Sequence, residues 1–469
     1  MIFSENHLVP FINHLVAITD DGFRFSYAEL QGWNKELYEQ VGHRCLVFNL
    51  CTNSIESLVG YTTFIGNGIV PLLLDAGLDK ELLDELILRY QPEYLWIPES
   101  RSSEFSNYSC IYEFKGYQLL KTSFNCNFQL YNELALLFAT SGSTGSPKLV
   151  RISYRNLEAN AQSIAEYLNI TSDERPITVL PMNYSFGLSI INSHLLKGAT
   201  LLLTNRSLME KEFWALIKNE KATSFSGVPY TFEMLHKLRF FRMDLPYLRL
   251  LTQAGGKLNL HLTQEFANYC QQSGKRFFVM YGQTEATARM SYLPSDWSVT
   301  KAGSMGIAIP GGEFHLIDEN QNIIWEPNTV GELVYKGSNV SLGYAMERTD
   351  LLKGDENQGV LFTGDLATRD EDGCYYIVGR KKRFIKLFGN RVNLDETEQI
   401  LKTLIHDCAC VGVDDQMIIY ITDEARMKET QDYIALKTGI HHKAFKVRCI
   451  DKIPKNTSGK TIYSNLETV

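Results

Sequence analysis

From residue 133 onward, short apolar runs alternate with helix-periodic segments, and that alternation limits the possible folds more than any single motif. Residues 133–139, ELALLFA, form a short apolar run bounded by turn signals, the pattern of a buried strand. Ser153 stands where a helix would be capped, with Leu157, Ala161, Ile164, Ala165 and Leu168 falling on one face of that helix. Further apolar runs follow at 177–181, 199–204, 248–252 and 277–280, with helical segments between them. Strands separated by helices imply an α/β fold in which mostly parallel sheets are flanked by helices. After Gly303 the texture changes to short strands such as GELVYKG and CYYIVGR. The tail predicts a small α+β unit: a helix from Leu394, strands near Val411 and Met417, a helix near Glu424 and a strand at Phe445. The boundary falls in the charged stretch GRKKRFIKLFG, giving a large N-terminal domain at 1–381 and a small C-terminal lid at 382–469. A length of 469 residues suits two or three such units.

Charge narrows the partners. A formal net charge of -8 argues against a general nucleic-acid binder. The basic residues are clustered, however. Arg380, Lys381, Lys382, Arg383, Lys386 and Arg391 precede any acid in their stretch, and residues 437–460 hold seven basic residues against only Asp451. Such clusters are either a solvated face or a small domain that meets phosphates or an acidic partner. Residues 57–74 carry no charge, but Asn67, Pro71 and the hydroxyl residues make a helix followed by a strand the better reading than a membrane span. The start, MIFSENHLVP, lacks a basic segment leading an apolar core, and the nine cysteines include no CxxC pair. A cytoplasmic protein with reduced thiols and no membrane insertion is expected.

Directly after the first strand comes LLFATSGSTGSPKLV, residues 136–150. Glycines let backbone approach a ligand closely, and the N–H groups of such a turn make a concave anion site. Thr140, Ser141, Gly142, Ser143, Thr144, Gly145 and Lys148 therefore form either a phosphate cradle or a Ser/Gly-rich linker. It is not a Walker A loop, because Lys148 follows Pro147 and not a glycine.

Four further stretches favour phosphate. YGQTE (281–285) follows an apolar run and offers an aromatic face and a carboxylate suited to a metal. FTGDLA holds Asp365, an acceptor suited to a ribose diol; Gly379–Arg380 follows; and PKNTSGK places Lys460 near the C-terminus. In this order the motifs resemble the adenylate-forming ligase superfamily of acyl-CoA synthetases, amino-acid adenylation domains and beetle luciferases. The resemblance runs from FSYAEL near residue 25 to the end.

That resemblance implies a reaction and a set of roles. ATP, with Mg²⁺, would convert a carboxylic acid into an acyl-AMP and pyrophosphate. The acyl group would then pass to the thiol of CoA or of a carrier-protein phosphopantetheine, so an acyl carrier protein is a possible partner. Residues 140–148 would be the phosphate loop, and Gly255, Gly256 and Lys257 would border the adenine. Tyr281, Gly282, Gln283 and Thr284 would line the nucleotide, Glu285 would bind magnesium, and Asp365 and Arg380 would hold the ribose. Lys382 matches the hinge position, Lys386 the lysine of the second half-reaction and Lys460 the lysine of adenylation. Tyr184, Gly187, Gly227, Ala254 and Met280 would line the acyl pocket, although Met280 is equally explained as core.

The chain departs from the pattern in four places. Leu149 replaces a common glycine, 461–464 lacks the usual basic residues, and Tyr184 stands where histidine is frequent. Gly187 replaces the aspartate that pairs with an α-amino group in amino-acid-activating relatives. A buried ammonium without a partner is costly, so a fatty or aryl acid with an uncharged tail is favoured. The rivals are an amino-acid-activating ligase, a catalytically silent nucleotide-binding protein and a luciferase-like oxygenase.

Overall fold

The structure, a computed structural model, describes residues 5–124, 128–140, 148–388, 390–455 and 461–466. Two large sheets dominate the first 380 residues. One has eight strands, in the order Gly343–Ala345, Lys148–Ser153, Leu134–Thr140, Val70–Asp75, Leu46–Cys51, Tyr94–Pro98, Tyr117–Lys121 and Ser109–Phe114. Its middle is parallel, with Val70–Asp75 flanked by Leu46–Cys51 and Leu134–Thr140. The other has nine strands and a parallel centre running through Arg276–Tyr281, Leu250–Gln253, Ser224–Gly227, Pro176–Ile177, Leu201–Leu203 and Leu15–Thr19. Both sheets end in antiparallel strands, so the parallel pattern expected from the alternation holds at their centres and not at their edges.

The sheets meet through helices that bury one whole face or more. Ile55–Gly66 is buried along nearly its full length, as is Ser185–Leu195. Tyr154–Tyr167 starts at Ser153, whose hydroxyl accepts from the Asn156 N–H at 3.1 Å while the Asn156 side chain accepts from the Ser153 N–H at 2.8 Å. Leu157, Ala161, Ile164 and Ala165 turn inward as the spacing predicts. Leu58, Phe64, Leu157, Ala161, Leu188 and Ile191 then share one core with strand residues of both sheets.

The apolar run at 177–181 gives less strand than expected: only Pro176–Ile177 pairs. Beyond it the Asn53 amide donates to the carbonyls of Thr178 and Leu180, and its oxygen accepts from the Met182 N–H. A side chain from a distant segment takes the backbone bonds a neighbouring strand would have taken.

An antiparallel four-stranded sheet, Gly312–Ile317, Gly331–Gly337, Val360–Arg369 and Tyr375–Arg380, follows. After a short turn at Lys381–Arg383 the chain forms the hairpin Phe384–Leu387 and Asn390–Asn393 and the sheet Cys408–Val413, Gln416–Ile421 and Phe445–Cys449. The helices Leu394–Leu401 and Met427–Thr438 accompany this sheet, the second entered through a 3-10 turn at Glu424–Arg426. Two core clusters consist wholly of residues from Ile385 onward. The α/β architecture with a smaller α+β C-terminal unit matches the expectation.

The turn between the units is held from both sides. Lys381 pairs with Glu332 of the four-stranded sheet at 2.7 Å. Arg383, largely buried, pairs with Glu398 at 2.7 Å and with Asp395 at 2.5 Å, and its guanidinium lies 3.8 Å from the centre of the Tyr463 ring. The Tyr463 hydroxyl donates to Glu398 at 2.9 Å. Burial raises the Glu398 carboxyl above its ordinary range, with the Arg383 charge opposing that shift. Part of the basic run is thus internal wiring of the C-terminal unit and not a solvated face. Among the described residues no helix is long and apolar enough to cross a membrane, and the eight described cysteines form no disulfide.

Candidate active site

The strand Arg276–Tyr281 ends at the aromatic residue that opens the YGQTE motif. Its neighbours in space come from Val360–Arg369 and Tyr375–Arg380, far along the chain. The Tyr281 hydroxyl donates to Asp365 Oδ2 at 2.5 Å, and Gln283 Nε2 donates to the same oxygen at 3.0 Å and to the Thr363 carbonyl at 3.0 Å. Asp365 and Arg380 are cross-strand partners, and the Arg380 Nε lies 3.7 Å from Asp365 Oδ1. Burial pushes the Asp365 carboxyl up despite hydrogen bonds from Tyr281 and Gln283 and the Arg380 charge. The Tyr281 phenol is pushed well up by burial first and by the neighbouring carboxylate second. The result is a nearly buried acceptor with one oxygen engaged and the other beside a mostly exposed guanidinium. Such a carboxylate suits a pair of neutral hydroxyl donors.

Glu285 lies a few residues further on, in the 3-10 turn Thr284–Ala286. The Tyr344 hydroxyl donates to Glu285 Oε1 at 2.7 Å, and Lys148 Nζ sits 3.6 Å from the centre of the Tyr344 ring. Tyr344 belongs to Gly343–Ala345, which pairs with the strand leaving the Ser/Gly-rich loop. That exit strand is anchored by Arg151, whose buried guanidinium donates to the carbonyls of Leu342, Tyr344, Lys353 and Gly354 and pairs with Glu356. Thr140 and Lys148 stand opposite each other across the two strands, so the loop leaves and returns at one point. Ser141, Gly142, Ser143, Thr144 and Gly145 lie outside the described residues, as does Lys460; for Thr140 and Lys382 only the backbone is described.

Gly255 and Gly256 follow the strand Leu250–Gln253, with the Tyr184 hydroxyl close to Gly255. Lys257 Nζ donates to the Ile377 carbonyl at 3.4 Å, beside the strand that carries Arg380. Thr284 Oγ1 shares a hydrogen bond of 3.0 Å with Ser185 at the start of Ser185–Leu195, and Gly282 packs against the Ala288 backbone. Ala254 and Met280 are buried in one cluster with Phe186 and Val228, and Gly227 ends its strand against Thr231. Lys386 lies exposed in Phe384–Leu387, with its N–H donating to Asp414 at 2.8 Å.

Gly187 has a steric reason to be glycine. A Cβ there would lie 2.1 Å from the Pro181 carbonyl oxygen, closer than any side chain tolerates. Gly187→Ala is therefore expected to cost about 1–3 kcal/mol through overpacking, read as a lower urea midpoint for the N-terminal unit. A midpoint equal to the parent's would show that the helix can shift away from Pro181 freely.

Two residues at this site escaped the sequence reading. Tyr344 lies in a stretch with no motif of its own, and only strand pairing brings it to Glu285. Arg289 is 2% exposed, and its carbonyl accepts from the side chains of Asn160 and Asn339. Its guanidinium donates to Ser189 at 3.1 Å and Tyr167 at 3.2 Å and packs on Phe186, 5.1 Å from the ring centre. A single charge inside the apolar stretch ATARMSYL, just after YGQTE, was the signal available in the sequence.

Comparisons with known proteins show the family and the fold. A family profile described as AMP-binding enzyme matches residues 15–345. This chain belongs to that family, the adenylate-forming ligases that act on carboxylic acids. The 2-succinylbenzoate–CoA ligase of Bacillus pumilus is 28% identical over 341 residues, 70% of this chain and 68% of its own length. The medium-chain fatty-acid–CoA ligase of Escherichia coli is 27% identical over 344 residues, 70% of this chain and 60% of its own length. The matched stretch thus spans only part of these relatives. In solved structures the likeness is end to end. The o-succinylbenzoate CoA synthetase of Bacillus subtilis, in complex with its acyl-adenylate intermediate, superposes with a TM-score of 0.80 at 23% identity over 98% of both chains. ATP-bound MatB from Rhodopseudomonas palustris gives 0.78 at 21% identity, over 99% of this chain and 100% of that one.

Proposed function

We propose that this protein uses ATP to convert a carboxylic acid into an acyl-AMP and then transfers the acyl group to the thiol of CoA or of a carrier-protein phosphopantetheine. The observation that carries this reading is the convergence of two groups of residues beside the loop. Tyr281, Gln283, Asp365 and Arg380 form a hydroxyl-accepting corner, and Tyr344 brings a carboxylate, Glu285, and a cation, Lys148, onto one ring, a combination suited to phosphate and its metal.

In this reading Asp365 and Arg380 hold the ribose, residues 140–148 cradle the phosphates, and Gly255, Gly256 and Lys257 border the adenine. Glu285 would hold Mg²⁺, a hard cation that takes oxygen ligands. Its fit is supported by a carboxylate whose side-chain partner among the described residues is the neutral phenol of Tyr344. Bound there, the cation would offset negative charge on the phosphates. The carboxylate oxygen of the acid attacks the α-phosphorus, the bond to pyrophosphate breaks, and the acyl carbon gains a good leaving group. A thiol then attacks that carbon and AMP departs. Lys460 serves the first step and Lys386 the second. Lys382 is the pivot between residues 1–381 and the lid at 382–469. Support for the pivot comes from Lys381, tied to the body through Glu332, and Arg383, tied to the lid through Glu398.

The acid lacks an α-amino group, and a fatty or aryl acid is favoured. Position 187 has no room for a pairing aspartate, and the nearby Arg289 cation would repel an ammonium. Pyrophosphate exchange across fatty, aryl and amino acids, followed by trials with CoA and a phosphopantetheinylated carrier, tests this. Exchange is expected with an acid that carries no ammonium. Strong exchange with one amino acid alone would promote the amino-acid-activating reading. Nucleotide binding without exchange for any acid would favour the silent binding protein.

A further inference from the structure

Arg289 is a buried cation without an anion. Among the described residues no carboxylate lies within ion-pair distance of it, although buried charges in proteins are paired as a rule. Its surroundings are neutral on every side. Nε donates to the Ser189 hydroxyl, and Nη1 to the Tyr167 hydroxyl and, at 3.5 Å, to Met280 Sδ. The Tyr167 phenol is raised by burial despite the Arg289 charge, so it stays protonated. His194, pushed down to about 4 by burial first, with the Arg289 charge adding to the shift, is neutral too, and its Nε2 has no hydrogen-bond partner. Among the described residues no hydrogen bond uses Nη2 of the guanidinium. Burying a charge without a counter-ion is costly, and an anion brought by a ligand would offset that cost.

The place of the arginine says what supplies it. Met280 and Phe186, which the guanidinium touches, belong to the apolar cluster that includes Ala254. Ser189 lies on the same helix as Ser185, which contacts Thr284 next to Glu285. A small cavity beside this helix is walled in part by Asn160, Ser185, Ser189, Asn192 and Thr287. Glu285 and Arg289 are four residues apart, so their Cα atoms lie within ~14 Å of each other. The guanidinium thus lies against Met280 and Phe186, and Met280 is one of the residues that the ligase reading places along the acyl pocket.

We propose that Arg289 is the specificity-determining residue of the acyl pocket, and that the acid this protein activates carries a second carboxylate that pairs with it. The inference rests on the ligase reading above and replaces its fatty or aryl tail with one that ends in a carboxylate. One carboxylate meets ATP, while the second supplies the anion that Arg289 lacks.

The test pairs each diacid with the acid lacking its second charge: glutarate with pentanoate, adipate with hexanoate and with monomethyl adipate, suberate with octanoate. Pyrophosphate exchange by the parent should favour the diacid of at least one pair by about a hundredfold or more in kcat/KM, since the wrong substrate leaves a buried polar group unpaired. Arg289→Met should abolish that preference. Thermal denaturation gives a second readout. The preferred diacid should raise the Tm of the parent and not of the variant, and the variant alone should melt at or above the parent because an unpaired buried charge is gone. Use of the monoacids or the monomethyl ester as well as the diacids, in the parent, overturns the inference whether or not the variant folds. That outcome leaves the ligase reading standing. Exchange with no acid, and no acid shifting Tm, overturns both.

Discussion

Lys460→Ala is expected to slow acyl-AMP formation by on the order of 10²–10³-fold while changing ATP affinity far less. At the junction of carboxylate and α-phosphate two anions are forced together, and negative charge on the bridging oxygens grows as the bond to pyrophosphate breaks. An ammonium aimed there acts on charge present chiefly in the transition state, so its loss falls on rate. In the proposed reading ATP would be held mostly by the body of the protein, through the Asp365 corner and residues 140–148. The segment carrying Lys460 is flanked by residues tied to the C-terminal unit: Lys455 pairs with Asp407 at 2.7 Å and bridges to Thr461, and Tyr463 bonds to Glu398. Single-turnover adenylation and equilibrium ATP binding, measured separately, check the split. A variant that makes acyl-AMP at the parent rate removes Lys460 from the adenylation step.

Lys382→Pro should keep much of the acid-dependent pyrophosphate exchange and lose most thioester formation. In the proposed reading Lys386 and Lys460 belong to one small unit and serve the two half-reactions in turn, which would require that unit to rotate. Lys382 stands between the ion pairs of Lys381 and Arg383, which tie its neighbours to opposite units. Rotation therefore falls on its backbone dihedrals, and proline fixes φ near -65° and removes the N–H. Lys386→Ala should resemble it in the second half-reaction, assayed with preformed acyl-AMP. Equal loss of both half-reactions in a folded Lys382→Pro variant would count against a rotating lid.

Local signals carried much of the fold. Ser153 with its helix, the strand at 134–140 and the tail elements beginning at Leu394 follow from spacing and capping, which act within a few residues. The shortfall at 177–181 was not legible, because the competing bonds come from Asn53, more than a hundred residues earlier. The site divides along the same line. Tyr281, Gln283, Asp365 and Arg380 come together as the motifs imply, since each motif announces itself locally. Tyr344 needed a strand pairing to be found, and Arg289 needed knowledge of what surrounds it. A charged residue means little in a sequence until its neighbours in space prove to be neutral.

The contact at Gly379 sets how firmly the C-terminal unit is seated. A Cβ on Gly379 would lie 1.8 Å from Asn393 Nδ2, so the asparagine fits only because a single hydrogen atom marks the clearance. Its oxygen caps Leu394–Leu401 by accepting from the Asp395 and Glu396 N–H groups at 2.8 and 3.3 Å, while its nitrogen donates to the Val378 carbonyl at 3.1 Å. The two halves of one amide thus face different units. If the C-terminal unit swings away, the helix keeps its cap, and this contact gives up one neutral hydrogen bond, worth about 1 kcal/mol. For a C-terminal unit that rotates, Asn393 would work as a shallow detent, stiff enough to index a position and weak enough to be released.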